Sequence, residues 1–141
     1  MTFIATMLML LCGANVGASA KVKCVPKIYA FGFSASFNDS TVYFTEIHEI
    51  DSAWINEKNK FLVSRDNYSY QLKDYFAHKG LPYRTCLISY ALTRKDIEKK
   101  YEKMRSKYVE SGNFSIKDLS VTDFRFTAIK PDSYEIENSN K

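Results

Sequence analysis

Residues 28–37 alternate between two kinds of side chain, and this pattern constrains the fold more than any other feature of the chain. A period of two residues is typical of a β-strand whose two faces meet different surroundings. Residues 38–40 (Asn-Asp-Ser) favour a turn and residues 41–50 return to strand composition, so the sequence predicts a β-hairpin. One face of the first strand is rich in aromatic rings (Tyr29, Phe31, Phe33, Ala35 and Phe37). The other face is mostly small, which suits close approach by another layer (Ile28, Ala30, Gly32, Ser34 and Ser36).

Two stretches further along the chain have the periodicity of amphipathic helices. The first ends near Gly80, shortly before Pro82, and its start can be capped by Ser64, Asp66 or Asn67. The second begins at residues 93–96 (Thr-Arg-Lys-Asp), which resemble a capping box, and ends at Gly112. The predicted apolar stripes are Tyr68, Leu72, Tyr75 and Phe76 in the first helix, and Ile97, Tyr101, Met104 and Tyr108 in the second.

Two further strands complete the predicted domain. Residues 84–92 alternate as a third strand, and residues 121–129 as a fourth, with Phe124, Phe126 and Ala128 on one face. The order β-β-α-β-α-β predicts an α+β fold. We expect a two-layer sandwich, in which both helices cover one face of a four-stranded, mainly antiparallel sheet. Residues 21–130 would form this single domain, and residues 131–141 a polar, disordered tail.

The N-terminal 20 residues have the pattern of a cleavable secretory signal peptide. Residues 3–12 form an uncharged apolar run, and Ala18, Ser19 and Ala20 precede the first charge, Lys21. The run is shorter than the roughly 20 apolar residues that span a bilayer. We therefore expect cleavage after Ala20 and an exported mature chain, periplasmic or extracellular, without a transmembrane span. A lipid anchor at Cys12 or a retained helix is the alternative.

Export would leave two cysteines, Cys24 and Cys86, in the mature chain. In an oxidising compartment an even pair of cysteines is usually bridged, so the sequence predicts a disulfide between them. Closing a loop of this length, roughly 60 residues, would stabilise the fold by about 4 kcal/mol. The alternative is two buried thiols that behave as small hydrophobic groups.

The charge of the chain argues against a nucleic-acid partner. The formal net charge is only +4, whereas nucleic-acid-binding domains carry denser basic patches. Phe31, Gly32 and Phe33 match the centre of the RNA-recognition strand signature, but Tyr29 and Ala30 stand where the signature has a basic residue and glycine. We therefore predict no nucleic-acid binding.

No motif in the sequence identifies a reaction. A P-loop, a G-x-S-x-G elbow and an H-E-x-x-H zinc motif are all missing from the sequence. Zinc-ligand residue types occur, but without the close paired spacing of zinc sites (Cys24, His48, His78 and Cys86). The sequence therefore predicts no catalytic residue, no metal site and no cofactor. Two enzymatic alternatives stay open: Cys86 as a nucleophile beside a histidine, or a carboxylate pair that only folding would reveal.

The second helix is the most basic part of the chain. Its charges include Lys99, Lys103 and Lys107 at a spacing of four residues, which places them on one face. A solvated helix face is the simplest interpretation. The alternative is a weak basic surface for an acidic partner, such as an envelope protein, an anionic glycan or a membrane surface.

Three segments of the sequence resemble small exported proteins of unassigned function from gut Gram-negative anaerobes. They are residues 25–33 (VPKIYAFGF), 68–72 (YSYQL) and 84–86 (RTC). The resemblance implies a periplasmic or envelope location and no particular activity. The sequence thus favours an exported, non-enzymatic binding or accessory domain of the cell envelope. The alternative is a small exported hydrolase or thiol-dependent enzyme that uses Cys86 or a carboxylate pair.

Overall fold

The computed structural model describes residues 22–139. The predicted signal peptide and its cleavage position (Ala18, Ala20 and Lys21) lie outside these residues. The elements in chain order are β1 (Val22–Ala35), β2 (Thr41–Thr45), β3 (His48–Asn56), α1 (Arg65–His78), β4 (Thr85–Ala91), α2 (Arg94–Ser111), β5 (Ser115–Leu119) and α3 (Ser133–Ser139).

β1 is the centre of a mixed, five-stranded open sheet. Phe33 pairs with β2 and with β4, and Tyr29 pairs with β3 and with β4. β4 therefore lies along one edge of β1, while β2 and β3 follow one another along the other edge. β5 adds to β2 in parallel orientation. The α+β class is confirmed, and the predicted hairpin is present. Its second strand is interrupted at Glu46 and Ile47, which gives β2 and β3, and the parallel β5 makes the sheet mixed.

The two long helices cover opposite faces of the sheet, so the predicted two-layer arrangement with both helices on one face is wrong. On one face, α1 packs against Ile28 and Ala30 of β1. On the other face, α2 packs against Phe31 and Phe33. The rings of Tyr101 and Phe31 meet edge to face, with their centroids 5.1 Å apart. Both faces of β1 carry apolar residues, and each needs a covering layer to leave water.

Local signals placed the two helices correctly. The Thr93 side chain accepts a hydrogen bond from the Asp96 N–H, and Gly112 ends α2 in the left-handed region at φ 67°. Gly80, at φ 82°, directly follows the last turn of α1. The predicted stripes face the sheet, with Tyr68, Leu72, Phe76 and Ile97 buried.

The last strand lies earlier than predicted, because β5 comprises residues 115–119 rather than 121–129. We call residues 120–132 the C-terminal strap. Phe124 and Phe126 are buried as the alternation predicted, whereas Ala128 is exposed. The strap crosses the α1 face, and three of its amides donate to side chains of other elements rather than to a neighbouring strand. The acceptors are His48 Nε2 for Phe126, Gln71 Oε1 for Thr127 and the Tyr68 hydroxyl for Ile129, at 2.9, 2.9 and 3.0 Å.

The predicted polar tail contains the short helix α3. Its Glu135 carboxylate accepts hydrogen bonds from Ser64 Oγ and Asn67 Nδ2, at the N-terminus of α1. A carboxylate at this position is favourable because the first turn of a helix has unpaired N–H groups and a partial positive charge.

The predicted disulfide between Cys24 and Cys86 is wrong. Cys24 pairs with Trp54 near the start of β1, whereas Cys86 pairs with Ser34 near its end. Ten strand residues separate Cys24 from Ser34, a distance of about 33 Å. The Cα atoms of a disulfide lie only about 4–7 Å apart, so no bridge joins these two cysteines.

Candidate functional site

One edge of β4 is left without a strand partner in the described part of the fold. Among residues 22–139, β4 is paired only with β1. The Gly32 N–H donates to Thr45 Oγ1 on the β2 side at 2.8 Å, so it does not bond to Ile88, its register partner in β4. The Tyr90 carbonyl accepts from Lys100 Nζ at 2.7 Å on the open side. Because backbone groups alternate in direction along a strand, Cys86, Ile88 and Tyr90 direct their N–H and C=O groups outward.

A groove of about 640 Å³ follows this open edge, and we call it the β4 groove. Its volume lies within the range of about 300–1,000 Å³ that is usual for ligand sites. Residues 88–92 form its floor. One wall comes from the segment before α1 and the start of α1, and the other from the first turns of α2. The wall residues are Asn59, Lys60, Phe61 and Arg65 on the α1 side, and Asp96, Lys99 and Lys100 on the α2 side.

Hydrogen bonds to β4 hold both walls in place. The Tyr90 hydroxyl accepts from the Leu62 N–H at 2.8 Å and donates to the Lys60 carbonyl at 3.0 Å, which ties the first wall to the strand. Lys100 ties the second wall to the Tyr90 carbonyl, and the Thr93 cap sets where α2 begins. The β4 groove is therefore preformed, which lowers the entropy that a ligand must lose on binding.

The β4 groove is cationic on both sides. Four basic side chains line it (Lys60, Arg65, Lys99 and Lys100), against one carboxylate, Asp96. Phe61 adds an aromatic ring that is 65% exposed. Of the basic surface predicted on the second helix, Lys99 lines the groove, whereas Lys103 and Lys107 are exposed further along α2, outside its lining. The sequence did not single out Phe61 or Arg65, because they come near Lys99 and Lys100 only after folding.

A second polar cluster surrounds Arg84, whose side chain is 3% exposed. Its guanidinium lies over the rings of Tyr43 and Phe76, at 4.8 and 5.6 Å. Nε donates to Ser34 Oγ at 2.8 Å, Nη2 to the Thr41 and Ser34 carbonyls, and Nη1 to both carboxylate oxygens of Asp39. These five contacts use the five N–H donors of a guanidinium. Arg84 therefore fastens the β1–β2 turn and has no donor left for an anionic ligand. Nothing around Arg84 in the sequence indicates this role, because Arg84 looks like the first residue of a strand.

Cys86 lacks the surroundings of a nucleophile. Its Sγ lies 3.5 Å from Ser34 Oγ, and burial raises the pKa of its thiol, which disfavours the reactive thiolate. His48 is committed elsewhere: Nε2 accepts from the Phe126 N–H, so Nδ1 must carry the proton and donate to the Glu46 carbonyl at 2.9 Å. Burial also lowers the pKa of His48. His78 is exposed, with Nδ1 2.8 Å from the Asp74 carbonyl.

The other side chains that the sequence offers as metal ligands or as a carboxylate pair do not come together into a site in the described residues. Within residues 22–139, no three His, Cys, Asp or Glu side chains are arranged to hold a metal ion. Two carboxylates near the hairpin, Asp39 and Glu49, form ion pairs with Arg84 and Lys27, at 3.2 and 3.1 Å.

The chain matches no protein-family model, no curated protein and no solved structure. None of the helices in the described residues is both long enough and apolar enough to cross a membrane.

Proposed function

We propose that this chain is an exported, non-enzymatic binding domain of the cell envelope, and that it holds a protein partner in the β4 groove. One observation carries the proposal: a preformed, cationic groove runs along an open strand edge, with the exposed Phe61 ring on its wall. Partner-binding sites are enriched in such aromatic anchors. The signal-peptide pattern of residues 1–20 and the resemblance to small exported proteins support the envelope location.

The chemistry of the described residues supports binding over catalysis. The Cys86 thiol has a raised pKa, and both ring nitrogens of His48 are hydrogen-bonded within the fold. A catalytic cysteine needs a lowered pKa and a neighbouring base that is free to take its proton.

Photo-crosslinking in the native host tests the binding site. A photoreactive phenylalanine analogue at Phe61 should give discrete covalent adducts with another protein. The matched control is the same analogue at Val109, an exposed apolar residue of α2 that lies outside the lining of the groove. Ten helical residues, about 15 Å, separate Val109 from Lys99. An identical adduct pattern at both positions, or none at Phe61, would refute the site.

The export part of the proposal is tested separately. Intact-mass measurement on protein from the native host should give a mature chain that begins at Lys21. Retention of residues 1–20 in a cytosolic fraction would remove the envelope location and leave the groove hypothesis standing.

A further inference from the structure

We propose that the partner enters the β4 groove as an extended acidic segment, which pairs with β4 and becomes an additional strand of the sheet. This inference rests on the proposed function, because it specifies how the same groove recognises its protein partner.

The backbone of β4 supplies the first argument. Cys86, Ile88 and Tyr90 present outward N–H and C=O groups at every second residue, which is the pattern that an added strand pairs with. Lys100 covers the Tyr90 carbonyl in the described state. An N–H of the incoming segment would replace the ammonium group at this carbonyl. The released Lys100 would stay beside the new strand and pair with one of its carboxylates.

The two walls supply the second argument. Side chains of an added strand alternate between the faces of the sheet, so half would meet Lys99 and Lys100, and half would meet Lys60 and Arg65. Both faces thus favour acidic side chains, while Phe61 offers an apolar contact between them. A second copy of the chain fits less well, because pairing of two β4 edges would bring two cationic grooves together.

An alternative explanation is that the lysine only protects the edge. Natural sheets place lysine on exposed edges to prevent association with other strands. Under this explanation Lys100 would remain on Tyr90, and no peptide would gain hydrogen bonds with β4. The two explanations differ in what happens to individual backbone amides.

The test uses the mature chain and a capped peptide of sequence Glu-Glu-Val-Val-Glu-Glu-Val, which in extended form places glutamate and valine on both faces. The control peptide replaces each glutamate with lysine. Calorimetry at low salt should detect binding of the acidic peptide only, and added salt should weaken it, because exposed charges are screened. Amide hydrogen exchange should show new protection at Ile88 and Tyr90, which face outward.

Charge-reversal variants link the peptide to the walls. Arg65→Glu combined with Lys99→Glu changes both sides of the groove and should weaken peptide binding by about tenfold or more. Lys103→Glu combined with Lys107→Glu makes the same change in net charge outside the groove and should alter affinity by less than about twofold.

The possible outcomes distinguish the hypothesis of strand addition from the hypothesis that the groove is the binding site. Peptide binding without new protection at Ile88 and Tyr90 would overturn strand addition and keep the groove as the site. No peptide binding, with crosslinks at Phe61 intact, would overturn the acidic strand alone. A concentration-dependent dimer that protects both amides without peptide would assign the edge to a second copy. Absence of crosslinks at Phe61 would refute the proposed function itself.

Discussion

Gly32 lies where α1 and the C-terminal strap approach the sheet closely, and replacing it by alanine tests this packing. The new methyl group would lie 2.8 Å from Leu72 Cδ2, 3.1 Å from Phe126 Cζ and 3.2 Å from Thr45 Cγ2. Ordinary carbon–carbon contacts are about 3.5–4.0 Å, so the leucine must move by about 0.7 Å or more. Overpacking of this kind costs about 1–3 kcal/mol, while loss of the glycine's flexibility in the unfolded chain returns about 0.5–1 kcal/mol. We expect Gly32→Ala to lower the free energy of unfolding by up to about 2.5 kcal/mol.

A double-mutant cycle with Leu72→Ala isolates the cause. Leu72→Ala alone should cost about 2–5 kcal/mol, because it removes a buried side chain and leaves a cavity. In that background the methyl of Gly32→Ala enters the vacated space, so the second change should cost little or nothing. Urea unfolding of the four proteins should give a coupling energy of about 1–2 kcal/mol. Additivity within about 0.5 kcal/mol would refute the close approach of α1 at Gly32.

Three further predictions concern acidity and the second helix. Burial lowers the pKa of His48, so the unfolded chain binds a proton that the folded chain does not once the pH falls below about 6.5. The free energy of unfolding should then fall by up to about 1.4 kcal/mol for each unit by which the pH is lowered. His48→Gln should remove this pH dependence in urea unfolding measured at several pH values, and a variant with the same dependence on pH would contradict the prediction. Tyr101→Ala removes ring contacts with Phe31 and Phe44 and should cost about 3 kcal/mol in the same assay, whereas a loss below about 1 kcal/mol would show that α2 is misplaced. Replacing the exposed Lys99, Lys103 and Lys107 together with glutamine should keep the melting temperature within about 2 °C of that of the unchanged protein. A larger drop would contradict the interpretation of this helix face as solvated.

The parts of the fold that the sequence predicted correctly are those with local causes. The alternation in β1, the cap at Thr93 and the helix end at Gly112 each depend only on residues that are close by in the sequence. β5 has no such signal, because Ile116 and Leu119 are three residues apart and enter the cores on opposite faces of the sheet. β5 is a strand because it pairs with β2. The two strands are distant in the sequence, so the residues around β5 do not predict this pairing.

The strap shows the converse case. Its alternation correctly predicted that Phe124 and Phe126 are buried, but burial alone does not make a strand. The position of the helices was missed for a related reason: both faces of β1 carry apolar residues, and the pattern does not say which helix covers which face. The β4 groove could not be predicted either, since Arg65 and Lys99 lie 34 residues apart and meet only across β4.

The side-chain acceptors beneath the strap also determine how the domain opens. A strand leaves a sheet only when a row of backbone bonds breaks together, whereas the strap is held by the separate side chains of His48, Tyr68 and Gln71. Segments with few cooperative bonds open at a lower free energy than the rest of a protein. We therefore expect residues 120–132 to open ahead of global unfolding. Native-state proteolysis should cut there while the sheet remains intact.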